Sequence, residues 1–351
     1  MQLIKSAIYT DIHFGAKSNS DQHNEDCIDY LHWFASQVTK MGDVDNIVFL
    51  GDYFENRSSI NIATLRYAYE GAKIINNLGL PVFFVTGNHD LYHRHTREIH
   101  SLSVFNEFKN FKVIDSPSII KKLGDGTLIC PYMFHHEYPD LKKFLSVPTW
   151  MGHFEFKDFI VTGYNVRMPT GPDACDFRGP EFILSGHFHK RQADENVVYV
   201  GNTFPTNFAD EGDNERGMAI FDHVSREIDF IDWEECPKYV HTTLSHLIDG
   251  VMLLPGKARV KCLADVVVSY EEMTSLRQMF IERYKLRELV MEETNEVTNA
   301  LAGTQLSTKD YDKVELANID DLMIKMLQDI KVDKIDNQLL VQLYKNTEAK
   351  Q

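Results

Sequence analysis

Five short polar motifs, each set just behind a strand-like run, constrain this chain more than any other feature. They are Asp11-Ile-His13, Gly51-Asp-Tyr-Phe-Glu55, Gly87-Asn-His-Asp90, Gly152-His153 and Gly186-His-Phe-His189. Loops leaving the carboxyl ends of strands carry the active sites of α/β folds, so the placement is itself informative. Aspartate, histidine and asparagine supply the oxygen and imidazole donors that suit Mn²⁺, Fe²⁺ or Zn²⁺. A glycine beside a ligand lets the chain turn sharply and the backbone approach an ion. Singly, each motif has a plainer reading: a surface loop, a turn, a histidine of no account. All five together point to one metal site assembled from five loops.

The rest of the pattern is that of a layered α/β protein. Segments 3–9, 47–50, 82–85 and 183–184 are short apolar runs that read as strands. Between the first two, Ile28, Leu31, Phe34, Ala35 and Val38 share one helical face; between the next two, Ala63, Tyr67, Ala68, Gly71, Ala72 and Ile75 do. Alternating strand and helix is the signature of that class. Segments 119–123, 127–130, 159–164, 197–200, 218–221 and 228–231 read as further strands with few helices between. Residues 1–237 are therefore expected to form a two-sheet β-sandwich flanked by helices. Residues 238–291 read as a small β-α-β capping domain. Its parts are a strand over 258–268, a helix opened by the capping box Ser269-Tyr-Glu-Glu272 and a strand over 287–291. Residues 292–318 are a polar, acidic linker. Residues 319–346 are expected to form a helical hairpin whose first helix carries Ile319, Leu322, Met323, Met326, Leu327 and Ile330 as one apolar stripe.

Composition narrows the class. No stretch approaches the roughly 20 apolar residues of a membrane span, and the N-terminus lacks the apolar core of a signal peptide. The five cysteines form no C-x-x-C and are expected as buried free thiols of a cytoplasmic protein. The net charge of −16 argues against nucleic acid at first sight, but it is unevenly spread. Residues 238–290 hold 8 basic and 6 acidic side chains, the one stretch whose charge favours phosphate. A catalytic domain that carries divalent cations tolerates its excess carboxylates.

In the order of its motifs the chain resembles the calcineurin-like metallophosphoesterases. Within them it is similar to SbcD-type DNA nucleases, particularly the recombination nuclease subunit of tailed phages. The closer likeness rests on Gly152-His-Phe-Glu155, on Tyr199-Val-Gly-Asn-Thr-Phe-Pro205 and on Asp213-Asn-Glu-Arg-Gly217. The resemblance implies two divalent ions, Mn²⁺ foremost. One would be held by Asp11, His13, Asp52 and His189, the other by Asp52, Asn88, His153 and His187, with Asp52 bridging. Two cations roughly 3.5–4 Å apart need such a shared anion, and they clamp the attacking and leaving oxygens of a phosphodiester. His89 would then protonate the leaving oxygen, with Asp90 orienting it. Cellular members carry a second histidine where this chain has Glu55, which could orient a ligand or His89, or simply be solvated. Arg57, His93 and His95 are candidate DNA contacts, against a plainer reading as solvated loop; His135 and His136 read as loop surface.

The resemblance thus implies a Mn-dependent DNA exonuclease and endonuclease of recombination and repair, located in the cytoplasm (the host's, if phage-encoded). Its implied partners are double- and single-stranded DNA and an SbcC-type coiled-coil ABC ATPase gripped by the C-terminal helices. From the pattern alone, that hairpin must dock on the catalytic domain, on a second copy or on another protein, because two short helices cannot bury both apolar faces against each other. The alternative enzyme is a metallophosphatase acting on a small phosphoester or a phosphoprotein. Phosphoprotein phosphatases carry Asp-Arg-Gly where this chain has Glu55-Asn-Arg57, and purple acid phosphatases place tyrosine at Glu55. Both differences favour the nuclease. A scaffold that has lost catalysis would not keep the full donor set.

Overall fold

A computed structural model describes residues 2–161 and 166–293. The expected hairpin and nearly all of the expected linker lie outside the described residues. A first six-stranded sheet contains β1 (Lys5–Tyr9), β2 (Asn46–Phe49), β3 (Val82–Val85), β4 (Phe111–Ile114), β11 (Gly217–Asp222) and β12 (Glu227–Asp232), in the order β12-β11-β1-β2-β3-β4. A second contains β5 (Ser118–Ile120), β6 (Thr127–Cys130), β7 (Thr149–Gly152), β8 (Phe182–Ser185), β9 (Gln192–Asp194) and β10 (Val197–Tyr199), in the order β5-β6-β7-β8-β10-β9. In each, the central strands run parallel, β1 to β4 in one and β6, β7, β8 and β10 in the other. All five motifs therefore leave the carboxyl ends of parallel strands, which is where such sheets bind ligands.

The two sheets bury one layer between them. Ile8, Val48, Leu50 and Val85 of the first meet Ile129, Met151 and Leu184 of the second, all fully buried. Each such side chain contributes about 1.5–3 kcal/mol. The other face of the first sheet is covered by the helices Asp21–Met41 and Ile62–Asn76. Each begins on its own cap: Ser20 Oγ accepts from the amide of His23, and Asn61 Oδ1 accepts from that of Ala63 at 2.8 Å. The expected two-sheet sandwich with flanking helices is what the chain forms.

Several details differ from expectation. Half of the strand expected over 159–164 lies outside the described residues; in the described half an isolated antiparallel bridge pairs Ile160 with Arg167, and Phe159 packs into the aromatic layer outside the second sheet. Strands β4 and β9 were not expected; β7 (Thr-Trp-Met-Gly) is the run behind the Gly152-His153 motif, whose bounds the sequence pattern left open. The small unit has three parallel strands: β13 (Tyr239–Thr243), β14 (Arg259–Ala264) and β15 (Glu288–Glu293). It thus gains a first strand and the short helix Leu244–Ile248 on the expected β-α-β, and its strand β14 stops at Ala264. Helix Tyr270–Tyr284 does start on the Ser269/Glu272 capping box. Four cysteines are buried and unpaired as expected, but Cys175 is exposed.

Candidate metal centre

Asp11, His13, Asp52 and His187 all adopt left-handed backbone conformations, with φ of 51°, 53°, 60° and 90°. Non-glycine residues rarely hold such angles, and those that do cluster at functional sites. The loops carrying them are also packed too tightly for side chains between them. A Cβ on Gly87 would lie 2.2 Å from Asp52 Oδ1, and one on Gly51 would lie 2.4 Å from His153 Nδ1. The strain and the close approach together press the donor atoms into one cluster.

That cluster has two halves. In one, His153 Nε2 is 2.9 Å from Asn88 Oδ1, 3.3 Å from His187 Nδ1 and 3.3 Å from Asp52 Oδ2, while His187 Nδ1 is 2.9 Å from Asn88 Oδ1. In the other, His13 Nε2 is 3.1 Å from His189 Nε2 and 3.9 Å from both Asp11 Oδ1 and Asp52 Oδ2. Asp52 touches both halves. All seven expected ligands are therefore brought together, in the groups Asp11–His13–His189 and Asp52–His153–His187 with Asn88 between the latter's rings.

The protons point the same way. His153 Nδ1 donates to the Leu50 carbonyl at 2.7 Å, and since a carbonyl can only accept, Nε2 of the neutral ring turns a lone pair to the cluster. His187 Nε2 contacts Glu155 Oε2 at 2.9 Å, leaving Nδ1 to face inward. His13 Nδ1 lies 2.8 Å from Glu55 Oε2 as an ion pair off the line of a hydrogen bond, with Nε2 inward. Outer partners of this kind orient metal-bound histidines. Burial disfavours a charged imidazole at His13 and His153, yet Glu55, Asp52 and Asp11 outweigh it at the first and Asp52 and Asp11 at the second, lifting both to about 9. Burial and the charge of His13 push His189 down to about 4. Burial likewise opposes the Asp52 charge, but His153, His89 and His13 hold its carboxyl well below the usual range. The pocket is cation-seeking, and its donor set fits divalent transition metals.

Other expected residues fall out differently. His89 joins neither of these two groups but falls in a third with His13 and Glu55. Its Nδ1 donates to the Glu55 carbonyl at 2.7 Å, its backbone amide donates to Asp52 Oδ1 at 2.8 Å, and its ring meets His13 edge-on at 5.0 Å. Asp90 does not orient it, which corrects the expected role. The Asp90 carboxylate is turned inward and collects the amides of Asp52, Tyr53, Phe54 and Gly87 at 2.9–3.1 Å. It ties two motif loops together. Glu55 takes both of its possible orienting roles, His13 through its carboxylate and His89 through its carbonyl. The bond to His13 and, beyond it, the nearby His89 draw the Glu55 carboxyl down to about 2, against its partial burial.

Arg57 lies near Tyr132, where its charge eases phenol ionisation that burial and Glu155 oppose. The rings of His93 and His95 stand 5.6 Å apart beside Tyr92 and join none of the three donor groups. Two groups were missed. Glu155 accepts from His187 on one oxygen and meets His135 Nε2 at 2.6 Å on the other, so His135 is no idle surface residue. Tyr132 sets its ring 5.8 Å from His187 and 6.1 Å from His153. The signal for Glu155 was available in the Gly152-His-Phe-Glu155 stretch, which sets a carboxylate two residues from an expected ligand.

The chain is similar to several known proteins. The chain is 26% identical over 227 residues to "Exonuclease subunit 1" of Enterobacteria phage T4, covering 63% of this chain and 65% of that protein. The match thus spans just under two thirds of the phage protein's length. It is 23% identical over 252 residues to the DNA double-strand break repair protein Mre11 of Methanocaldococcus jannaschii, covering 67% of this chain and 68% of that one. Among solved structures, a dimetal phosphatase from Danio rerio aligns over 63% of this chain and 93% of its own, at 10% identity and a TM-score of 0.39. Residues 4–191, more than half of the chain, match the calcineurin-like phosphoesterase family. The chain belongs to that family.

Proposed function

We propose that this protein is a two-metal phosphodiesterase that cuts DNA, with Mn²⁺ as its working ion. The observation that carries the reading is the pair of adjoining donor groups, with Asp52 in one and 3.9 Å from His13 of the other, three of whose histidines have their outer nitrogens already engaged. Asp11, His13, Asp52 and His189 would hold one ion, and Asp52, Asn88, His153 and His187 the other. Ions bound there polarise a phosphodiester and acidify a water towards neutral pH. The chain's own groups do the rest. Asp52 supplies the shared negative charge, and the Asp90 cage keeps its loop in place. His89, fixed through Nδ1 on the Glu55 carbonyl, has Nε2 free to carry a second proton to the departing sugar oxygen.

DNA is the favoured substrate because both curated relatives named above are, by their names, an exonuclease subunit and a double-strand break repair protein. The test is incubation of the purified chain with labelled duplex DNA and with a phosphotyrosine peptide, each with Mn²⁺ and with chelator. Cleavage of DNA alone, lost on chelation, is expected. Turnover of the peptide and not the DNA would turn the reading to a phosphatase. We further propose that residues 319–346 bind an SbcC-type ATPase, with a second copy of this chain as the competing seat. Deleting 315–351 should abolish co-purification with that ATPase and leave Mn²⁺-dependent cleavage of short DNA intact; lost basal cleavage would assign the segment to the catalytic core instead.

A further inference from the structure

The His13/His189 half of the cluster is braced from behind by groups that the reaction does not use. One turn of helix Asp21–Met41 grips loop 11–15 with three side chains. His23 Nε2 donates to the His13 carbonyl at 2.9 Å, Cys27 Sγ donates to the Ile12 carbonyl at 3.3 Å, and Asn24 Oδ1 accepts from the Gly15 amide at 2.8 Å. On the same turn sits Asp26, fully buried. One of its oxygens accepts from Arg259 Nη2 at 2.9 Å; the other accepts from Arg287 Nε and Nη2 at 3.1 and 2.9 Å. Both arginines belong to the three-stranded sheet, Arg259 as the first residue of β14 and Arg287 just before β15.

The same sheet reaches the other ligand of that half. The Asn202 amide donates to the His189 carbonyl at 3.0 Å. Four residues on, the Thr206 carbonyl accepts from Tyr239 Oη of β13 at 2.7 Å. Among the described residues no such line stands behind the His153/His187 half; its outer partners, Leu50 and Glu155, belong to the sandwich. A buried ion pair is often no more stabilising than apolar side chains of the same volume. Stability alone therefore does not account for two guanidinium groups meeting on one buried carboxylate. What paired, charge-assisted bonds add is a fixed direction.

We propose that Asp26, Arg259 and Arg287 are positioning residues that set the His13/His189 half of the metal site from the three-stranded sheet. The inference rests on the two-ion reading above. It makes the small sheet a part of the catalytic apparatus, able to act on one ion position and not on the other.

The test uses the full chain, Mn²⁺ titrated calorimetrically and bis(4-nitrophenyl) phosphate, a substrate too small to span the small sheet. Arg259→Met should weaken one of two classes of Mn²⁺ site by about tenfold, the low end for a group behind a metal ligand. The second class should bind as in the native chain. Turnover should fall with KM unchanged, and Arg259→Lys should restore part of both losses. Two intact Mn²⁺ isotherms, or equal weakening of both classes, would overturn the proposal. If Arg259→Met does not fold, Arg287→Gln removes only the outer arm of the fork and should give the same one-sided pattern at smaller size. A folded Arg287→Gln chain with native isotherms overturns it too. A native chain that binds no Mn²⁺ would instead sink the two-ion reading itself.

Discussion

The two halves of the metal centre are built from the same side chains but enclosed differently. His153 is fully buried, and the Glu155 carboxylate behind His187 is 12% exposed. On the other side His189 is 30% exposed and Glu55, behind His13, 39%. Glu155 is also pinned, its amide donating to the Tyr138 hydroxyl at 2.8 Å and its carboxylate shared between His187 and His135. Glu55 sits on a loop with one face to solvent. The difference lies in one ligand and one outer carboxylate on each side, since His187 is itself 13% exposed while His13 and Asp11 are buried. The comparison teaches that the pair is asymmetric at its edge: the water-facing ligand and carboxylate of the His13/His189 half are the more exposed, and the proposed ion there is expected to be the less tightly held.

The largest expected effect comes from the residue that both halves share. Asp52→Asn should lose both ions and lower hydrolysis by at least about 10³-fold, since the ions contribute several kcal/mol to the transition state. Metal analysis of the purified variant checks this. Two ions per chain at full occupancy would break the bridging assignment and leave two independent sites. The next effect belongs to neither half. His89→Ala should keep both ions and DNA affinity but lose about 10²–10⁴-fold in turnover on DNA. On bis(4-nitrophenyl) phosphate, whose leaving group departs without a proton, most of the loss should vanish. Equal loss on the two substrates would remove His89 from the role of acid.

Much of this was legible in the sequence, and the reasons are physical. Strands β1, β2, β3 and β8 are short apolar runs followed by glycine or aspartate, and that junction is where ligands sit. Asp90 was misread because it adjoins His89, whereas neighbouring side chains diverge; its carboxylate instead serves amides 36–38 residues away. Asp26 and His23 went unnoticed although both lie on the buried stripe with Cys27, Tyr30, Leu31 and Phe34. A charged group on an apolar helical face must find a partner, but the sequence does not say that the partners are Arg259 and Arg287, more than two hundred residues on. Contacts of that kind belong to the tertiary fold.

The smallest effects sharpen the comparison best, because they probe matched carboxylates on the two sides. Glu155→Gln leaves one amide oxygen where two rings each need an acceptor, so either His187 or His135 must face an NH₂ group. His187 then loses its fixed tautomer, and Nδ1 no longer turns a lone pair inward. Mn²⁺ affinity in one class of site should fall about 10–100-fold, as for other groups behind metal ligands. Glu55→Gln is milder on the same reasoning. Its amide oxygen can still face His13 Nδ1, its carbonyl still holds His89, and the lost charge is partly solvent-exposed and so worth at most about 1 kcal/mol. That corresponds to about a fivefold loss of affinity or less, by the same conversion of free energy to equilibrium. Calorimetric titration of both variants under one set of conditions decides the matter. If Glu55→Gln proves the more damaging, the His13/His189 half is the tightly held one, and exposure is the wrong guide to which ion is retained.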